Sequence, residues 1–200
     1  MVVDIYHGDE VISFKPAKDK GIHGIIHKAS EGATIRDHSY DARRQMAKDA
    51  GMLWGAYHFL RPGDMQAQVS HFIASAHPDG STLLALDHED PKVSLIAAIR
   101  FLELIEKQMG RKAVLYSGFL IKDQLGSRYD PYLAKHRLWL SHYNTHPSWP
   151  STWDVPWLWQ YTGDGVGPNP HNVPGIKGGK GIDMNSYAGT AEQLAAEWAS

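Results

Sequence analysis

Short apolar blocks recur along this chain, each closed by polar or turn-forming residues. They fall at 2–6, 24–32, 53–59, 83–89, 113–117, 137–143, 157–161 and 182–185. Blocks of this length, rich in aliphatic and aromatic residues, read as buried strands. Between them lie segments with helical spacing. Residues 40–50 stop at Gly51. Residues 64–76 start on Asp64 as a cap and end at the turn His77-Pro78-Asp79-Gly80. Residues 93–109 carry Leu95, Ile99, Leu102 and Ile105 as an apolar stripe before Gly110. Shorter helices are expected at 119–124 and 190–198, and a loop with one helical turn at 7–20. A tryptophan- and proline-rich loop at 147–156 and a glycine-rich stretch at 163–181 complete the pattern.

Strand and helix alternate to about residue 125, and strands dominate afterwards. Alternation of this kind builds parallel sheets from βα units. The eight strand segments suggest a closed α/β barrel whose last helices are shortened or lost, with an open doubly wound sheet as the structural alternative. No domain boundary is evident, so residues 1–200 are expected to form one catalytic domain.

The chemistry is concentrated where apolar runs meet carboxylates. The run from Leu83 ends in Asp87-His88-Glu89. A period of two puts Asp87 and Glu89 on one side of the strand, about 7 Å apart along it. Like charges held so close push their pKa values apart, so one carboxyl stays protonated beside a charged neighbour. Asp4 and Asp183 also interrupt or end apolar runs, and Glu31 lies just past the second strand. The C-terminal ends of barrel strands converge on one mouth, which would gather these acids into a concave site. Taken singly, each acid reads first as a cap or loop residue, Asp4 equally as that or as a site residue; convergence carries the inference. Tyr57, Tyr116, Trp139 and Tyr161 lie in or beside strand ends and offer flat apolar faces to a ligand, although Trp139 and Trp159 read equally well as core.

Composition removes other classes. The 200 residues carry a net charge of −2 with 42% hydrophobic and 21% charged residues. This balance gives no electrostatic footprint for nucleic acid or a membrane surface. There is no cysteine and no apolar run of membrane-spanning length. His58, His88 and His142 do not group with the three or four ligands that zinc requires, so no metal and no cofactor are expected. The stretch from Gly175 lacks the Gly-Lys-Ser/Thr ending of a phosphate loop and reads instead as a loop at the rim of the site, its lysines available to an anionic partner. With Asp4 in the first apolar run and no basic flank, the N-terminus does not resemble a signal peptide.

Eight fragments carry a resemblance in order and spacing. They are Val3-Asp4-Ile5; His27-Lys28-Ala29-Ser30-Glu31-Gly32; Gly55-Ala56-Tyr57-His58-Phe59; Leu86-Asp87-His88-Glu89; Tyr116-Ser117; Leu138-Trp139 with Tyr143; Trp159-Gln160-Tyr161; and Gly181-Ile182-Asp183-Met184-Asn185. Together they resemble the family 25 glycoside hydrolases, phage and bacterial lysozymes that cut peptidoglycan between N-acetylmuramic acid and N-acetylglucosamine. The resemblance implies an irregular TIM-like barrel of five βα units followed by three strands. It also implies Glu89 as general acid, with Asp183, Asp87 and Asp4 as companion carboxylates. Tyr57, Tyr116, Trp139, Tyr161 and Glu31 are the expected substrate contacts. The family is retaining, which implies either assistance by the substrate's 2-acetamido group, oriented by Asp183, or a covalent intermediate on that aspartate. The covalent route needs carboxyls about 5–5.5 Å apart. A related glycosidase acting on chitin-like glycans and a catalytically silent glycan-binding barrel are the competing readings.

Two departures from the family pattern bear on glycan specificity. Ile5-Tyr6-His7-Gly8 follows the first aspartate where the family has a small residue and a Gln-Gly pattern, and the glycine-rich stretch before Asp183 is long. The expected setting is a monomeric phage or prophage lysin acting on peptidoglycan strands. It would be made in the cytoplasm and released by a separate pore to the periplasm or cell wall, or act outside the cell.

Overall fold

A computed structural model describes residues 1–200. The chain opens with β1 (Val2–Ile5), β2 (Glu10–Val11), α1 (Lys15–Asp19), β3 (Gly24–Glu31), β4 (Ile35–Arg36) and α2 (Tyr40–Asp49). It continues through β5 (Leu53–Phe59), α3 (Met65–Ala76), β6 (Leu83–Asp87), α4 (Leu95–Met109), β7 (Val114–Ser117) and α5 (Phe119–Leu125). A 3₁₀ turn at Leu133–Lys135 precedes β8 (Leu138–Ser141), β9 (Leu158–Thr162), β10 (Ile176–Lys177), β11 (Asp183–Tyr187) and α6 (Ala191–Glu197).

The strands of the main sheet follow the order β1-β11-β9-β8-β7-β6-β5-β3-β4, and β1 also pairs with β3. That last pairing closes the ring, with β4 left as a short flap on β3. The result is an irregular TIM-like barrel of five βα units followed by three strands, and the open doubly wound alternative is excluded. Neighbours are parallel from β1 through β3 to β9, whereas β11 runs antiparallel to both β9 and β1. No helix separates β9 from β11. The chain therefore stays at the mouth through the glycine-rich stretch and β11 descends from there, which brings Asp183 to the mouth from the start of its strand rather than from its end. Within that stretch β10 pairs with β2, two short strands that the sequence pattern does not disclose.

Local signals explain the element ends. Asp64 accepts from the Gln66 and Ala67 backbones and caps α3, which ends on His77 in the left-handed region at φ 42°. Ser94 caps α4, and Gly110 ends it at φ 69°. Thr190 and Gln193 form a capping box on α6. Ile25 faces the helices while Ile26 faces the barrel interior, the period-two alternation that separates two apolar layers. The outer layer joins the helices to the barrel wall; the inner holds Val2, Ile26, Leu83, Ala85, Val114 and Leu158 with Tyr116 and Trp139.

α6 closes the lower end of the barrel with Trp198, whose indole N–H donates to the Trp54 carbonyl at 2.8 Å. A side chain at Gly24 would lie 2.6 Å from that ring, so glycine is what allows the approach. With the bottom sealed, the cavities described below open at the upper mouth. No helix is long and apolar enough to cross a membrane.

Candidate active site

Two adjoining cavities of about 320 and 240 Å³ open at the mouth and share Asp4, Tyr6, Tyr57, Asp164 and Asp183. The second adds Lys28, Phe59, Asp87, Glu89, Tyr116 and Trp139, and the first is walled by Asp9, Lys180 and the turn around them. Four of the five acids singled out from the sequence, Asp4, Asp87, Glu89 and Asp183, thus meet in one concavity. Asp87 is the last residue of β6 and is only 5% exposed, while Glu89, two residues on, opens to solvent. His88 points away between them, bonded to Gln124 at 2.8 Å, and its carbonyl accepts from Ser117 at 2.6 Å. This pinned histidine fixes where the two carboxyls leave the strand.

Asp4 and Asp183 lie opposite each other on the β1–β11 ladder. Gln160 on β9 donates to both oxygens of Asp4 at 2.9 and 3.0 Å and to Asp183 at 3.4 Å, and Asn185 donates to Asp4 at 2.7 Å. The orientation of both amides follows from their other ends. Tyr116 donates its hydroxyl to the Gln160 carbonyl at 2.7 Å, and the Trp139 indole N–H, a donor only, contacts the Asn185 carbonyl at 2.5 Å. Each amide nitrogen must then face the acids. The backbone N–H of Asp164 reaches Asp183 at 3.2 Å, from a residue held at φ 52°. A side chain on Gly163 would lie 2.5 Å from the Tyr143 hydroxyl and 2.7 Å from the Asp183 carboxyl, so the turn is glycine where those groups approach.

The electrostatics follow from this crowding. Burial, then the charge of Asp183, hold Asp4 well above the usual carboxylate range against the pull of its amide donors. Asp183 is pushed up to about 7, chiefly by burial. Burial and the charge of Glu89 raise Asp87, one of whose oxygens is buried with no hydrogen-bond partner. Glu89 is also raised, mainly because protein surrounds it on the cavity wall even though cavity water reaches it. Two raised carboxyls this close titrate as a pair and retain one proton over a wide range.

A sequence model of the glycosyl hydrolases family 25 matches residues 3–169. This chain belongs to that family. Lysozyme M1 of Streptomyces globisporus is 25% identical over 213 residues, covering 97% of this chain and 69% of the relative. The uncharacterized protein YegX of Escherichia coli K12 is 27% identical over 177 residues, covering 84% of this chain and 60% of the relative. The crystal structure of a bacterial lysozyme from Streptomyces coelicolor superposes with a TM-score of 0.83 at 25% identity, covering 98% of this chain and 95% of that one. The family match stops short of Asp183, whose place in the site is given by the β1–β11 pairing.

In this family 25 glycoside hydrolase the expected substrate contacts separate into groups. Tyr57 lines both cavities. Tyr116 and Trp139 line one cavity but are 6% and 1% exposed, and their polar groups are spent on Gln160 and Asn185. They form the floor that holds the amides. Tyr161 is not brought to the cavities: Gln160 takes the inward position on β9, so Tyr161 faces outward with its hydroxyl toward the sulfurs of Met1 and Met184. Glu31 lines neither cavity. It is held between Lys28 and Arg61, and Arg61 continues to Asp90 at 2.9 Å. His58 stacks on Phe101 with bonds to Ser30 and Gln68, while His88 bonds to Gln124 and His142 accepts from the Ser148 backbone, so each histidine is engaged separately.

Tyr6, Lys28, Phe59, Tyr143, Gln160, Asp164 and Asn185 were not singled out as site residues from the sequence. Lys28, Phe59, Tyr143, Gln160 and Asn185 sit inside fragments that carried the family resemblance, the one signal available for them. Tyr6 falls in the segment that departs from the family pattern, and Asp164 carries no pattern of its own. It is a glycine-loop residue whose role depends on the fold of the mouth.

Proposed function

We propose that this family 25 glycoside hydrolase is a lysozyme, an N-acetylmuramidase that hydrolyses the β-1,4 bond between N-acetylmuramic acid and N-acetylglucosamine in peptidoglycan with retention. The observation that carries the reading is the juxtaposition of two carboxyl pairs across one cavity, Asp87 with Glu89 and Asp4 with Asp183. Residues 1–200 act in it as one catalytic domain.

Glu89 is the acid. Its raised pKa keeps a proton available, and its open position lets that proton reach a glycosidic oxygen. Asp87 stabilises the pair and takes part in holding the shared proton. As the leaving oxygen is protonated, positive charge develops at the anomeric carbon, and the carbonyl oxygen of the substrate's own 2-acetamido group attacks it from the opposite face. Asp183 accepts the acetamido N–H and stabilises the cyclic cation, while Gln160 and the Asp164 backbone N–H hold Asp183 in place. Glu89, now a carboxylate, then takes a proton from the water that attacks the anomeric carbon and opens the cyclic intermediate, which restores the protonated acid and retains the configuration by two inversions. The enzyme is expected to act as a monomer on glycan strands beyond the inner membrane or outside the cell.

The test is mass spectrometry of products released from purified peptidoglycan by the wild type and by Glu89→Gln. Fragments ending in reducing N-acetylmuramic acid, absent with the variant, support the reading. Intact sacculi with both proteins refute it, and cleavage of chitin oligomers instead would reassign the substrate.

A further inference from the structure

The residue that follows the first strand departs from the family pattern, and its surroundings are built around it. Tyr6 is the first residue past β1, two positions after Asp4, and borders the same mouth as that acid. It lines both cavities and is 44% exposed, a large ring open to water in a chain where most aromatics are covered.

An exposed aromatic is ordinarily free to move, but this one stands on a fixed base. The Asp9 side chain accepts the Tyr6 N–H at 3.0 Å, and the Asp9 N–H returns to the Tyr6 carbonyl at 3.0 Å, closing a tight turn. Arg43 donates to the same carbonyl at 2.7 Å and also reaches the Asp9 carbonyl. The next residue is fixed as well, with the His7 N–H on Asp37 at 2.8 Å. A side chain at Gly8 would lie 2.4 Å from the Tyr6 hydroxyl oxygen and ring, so glycine is what gives the ring its seat. The backbone is fixed from several directions, yet no hydrogen bond within the chain is made by the Tyr6 hydroxyl.

We propose that Tyr6 is a sugar-stacking platform, a specificity-determining residue that binds the apolar face of a pyranose ring where the two cavities join. This rests on the muramidase reading of the site, whose substrate it places. A sugar ring presents a patch of C–H groups that packs on an aromatic face, and a preordered ring loses little entropy in doing so. Stacking of this kind holds ground state and transition state alike, so it acts on binding and leaves turnover largely alone.

The test compares the wild type with Tyr6→Leu, Tyr6→Phe and Gly8→Ala on soluble peptidoglycan strands. Calorimetric binding of a tetrasaccharide of alternating N-acetylglucosamine and N-acetylmuramic acid is measured in the Glu89→Gln background. Losing the ring in Tyr6→Leu is expected to raise KM and Kd about tenfold with kcat within about twofold. Tyr6→Phe keeps the face and stays near wild type, while Gly8→Ala tilts the ring and falls between. The Tyr6 proposal is overturned if Tyr6→Leu binds the tetrasaccharide as tightly as the parent, or if Tyr6→Phe is as impaired as Tyr6→Leu. A wild type that cleaves while Tyr6→Leu is unaltered removes Tyr6 alone. A wild type that neither cleaves nor binds removes the muramidase reading and Tyr6 with it.

Discussion

Asp4 and Asp183 face each other across the antiparallel β1–β11 ladder, and the one amide of Gln160 donates to both. Like charges directly opposite on a sheet are destabilising. The arrangement persists because amide donors surround Asp4 and because Asp183 is pushed up to about 7 and carries its charge only part of the time near neutrality.

Gln160→Leu keeps the volume but removes the donors to Asp4 and Asp183 and the acceptor for Tyr116. The catalytic carboxyls then lose their placement. The expected result is a fall in kcat of about tenfold to a hundredfold. Steady-state hydrolysis with a parallel thermal melt checks it; an unchanged kcat in a folded variant would mean that the amide does not position the acids.

The raised pKa of Asp183 has a signed consequence for stability. In the unfolded chain the carboxyl titrates near 4, whereas in the folded protein it holds its proton to about 7. Between those values the folded state binds more protons, so this group makes stability fall as pH rises from about 4 to about 7 and level off above. His27 and His58, each lowered to about 4 by burial, act in the opposite sense: the unfolded chain takes up protons below about 6.5 that they refuse. The informative quantity is therefore the difference between Asp183→Asn and wild type. Urea unfolding from pH 4 to 8 should show the variant gaining stability relative to wild type as pH rises. Parallel curves would contradict a raised Asp183.

Arg61 ties the ends of three strands. It pairs with Glu31 at the end of β3 at 2.7 Å and with Asp90, just past Glu89, at 2.9 Å, and its guanidinium lies over the Phe59 ring. Its side chain is 46% exposed, so the clamp lies between the limits for surface and buried pairs. Arg61→Met should cost about 1–2 kcal/mol, because Asp90 and Glu31 are left in poorly hydrated positions. A chemical denaturation midpoint equal to that of wild type in low salt would show that the clamp contributes nothing.

The pattern of apolar runs was enough to place the strands of the barrel and its longer helices, because continuous apolar blocks and a 3.6-residue stripe are local properties. The two-residue strands β2, β4 and β10 escaped it, since so short a pairing is set by where distant or folded-back segments meet. The same limit applied at Trp159-Gln160-Tyr161. The aromatic drew attention, yet the strand register turned the glutamine inward and Tyr161 outward. Trp139 and Tyr116, expected to meet substrate, line one cavity and also support the amides beneath the acids.

The sequence by itself determined the alternating elements, the Asp87-His88-Glu89 strand end and the family fragments, all of which reside in neighbouring residues. Only the tertiary structure decided that β11 runs backwards, and so that Asp183, at the start of its strand, reaches the same mouth as Asp4. It alone gave Gln160, Asn185, Asp164 and Tyr6 their places. The physical reason is that hydrogen-bond partners and pKa shifts depend on groups brought together across the barrel, and sequence separation carries no record of that distance.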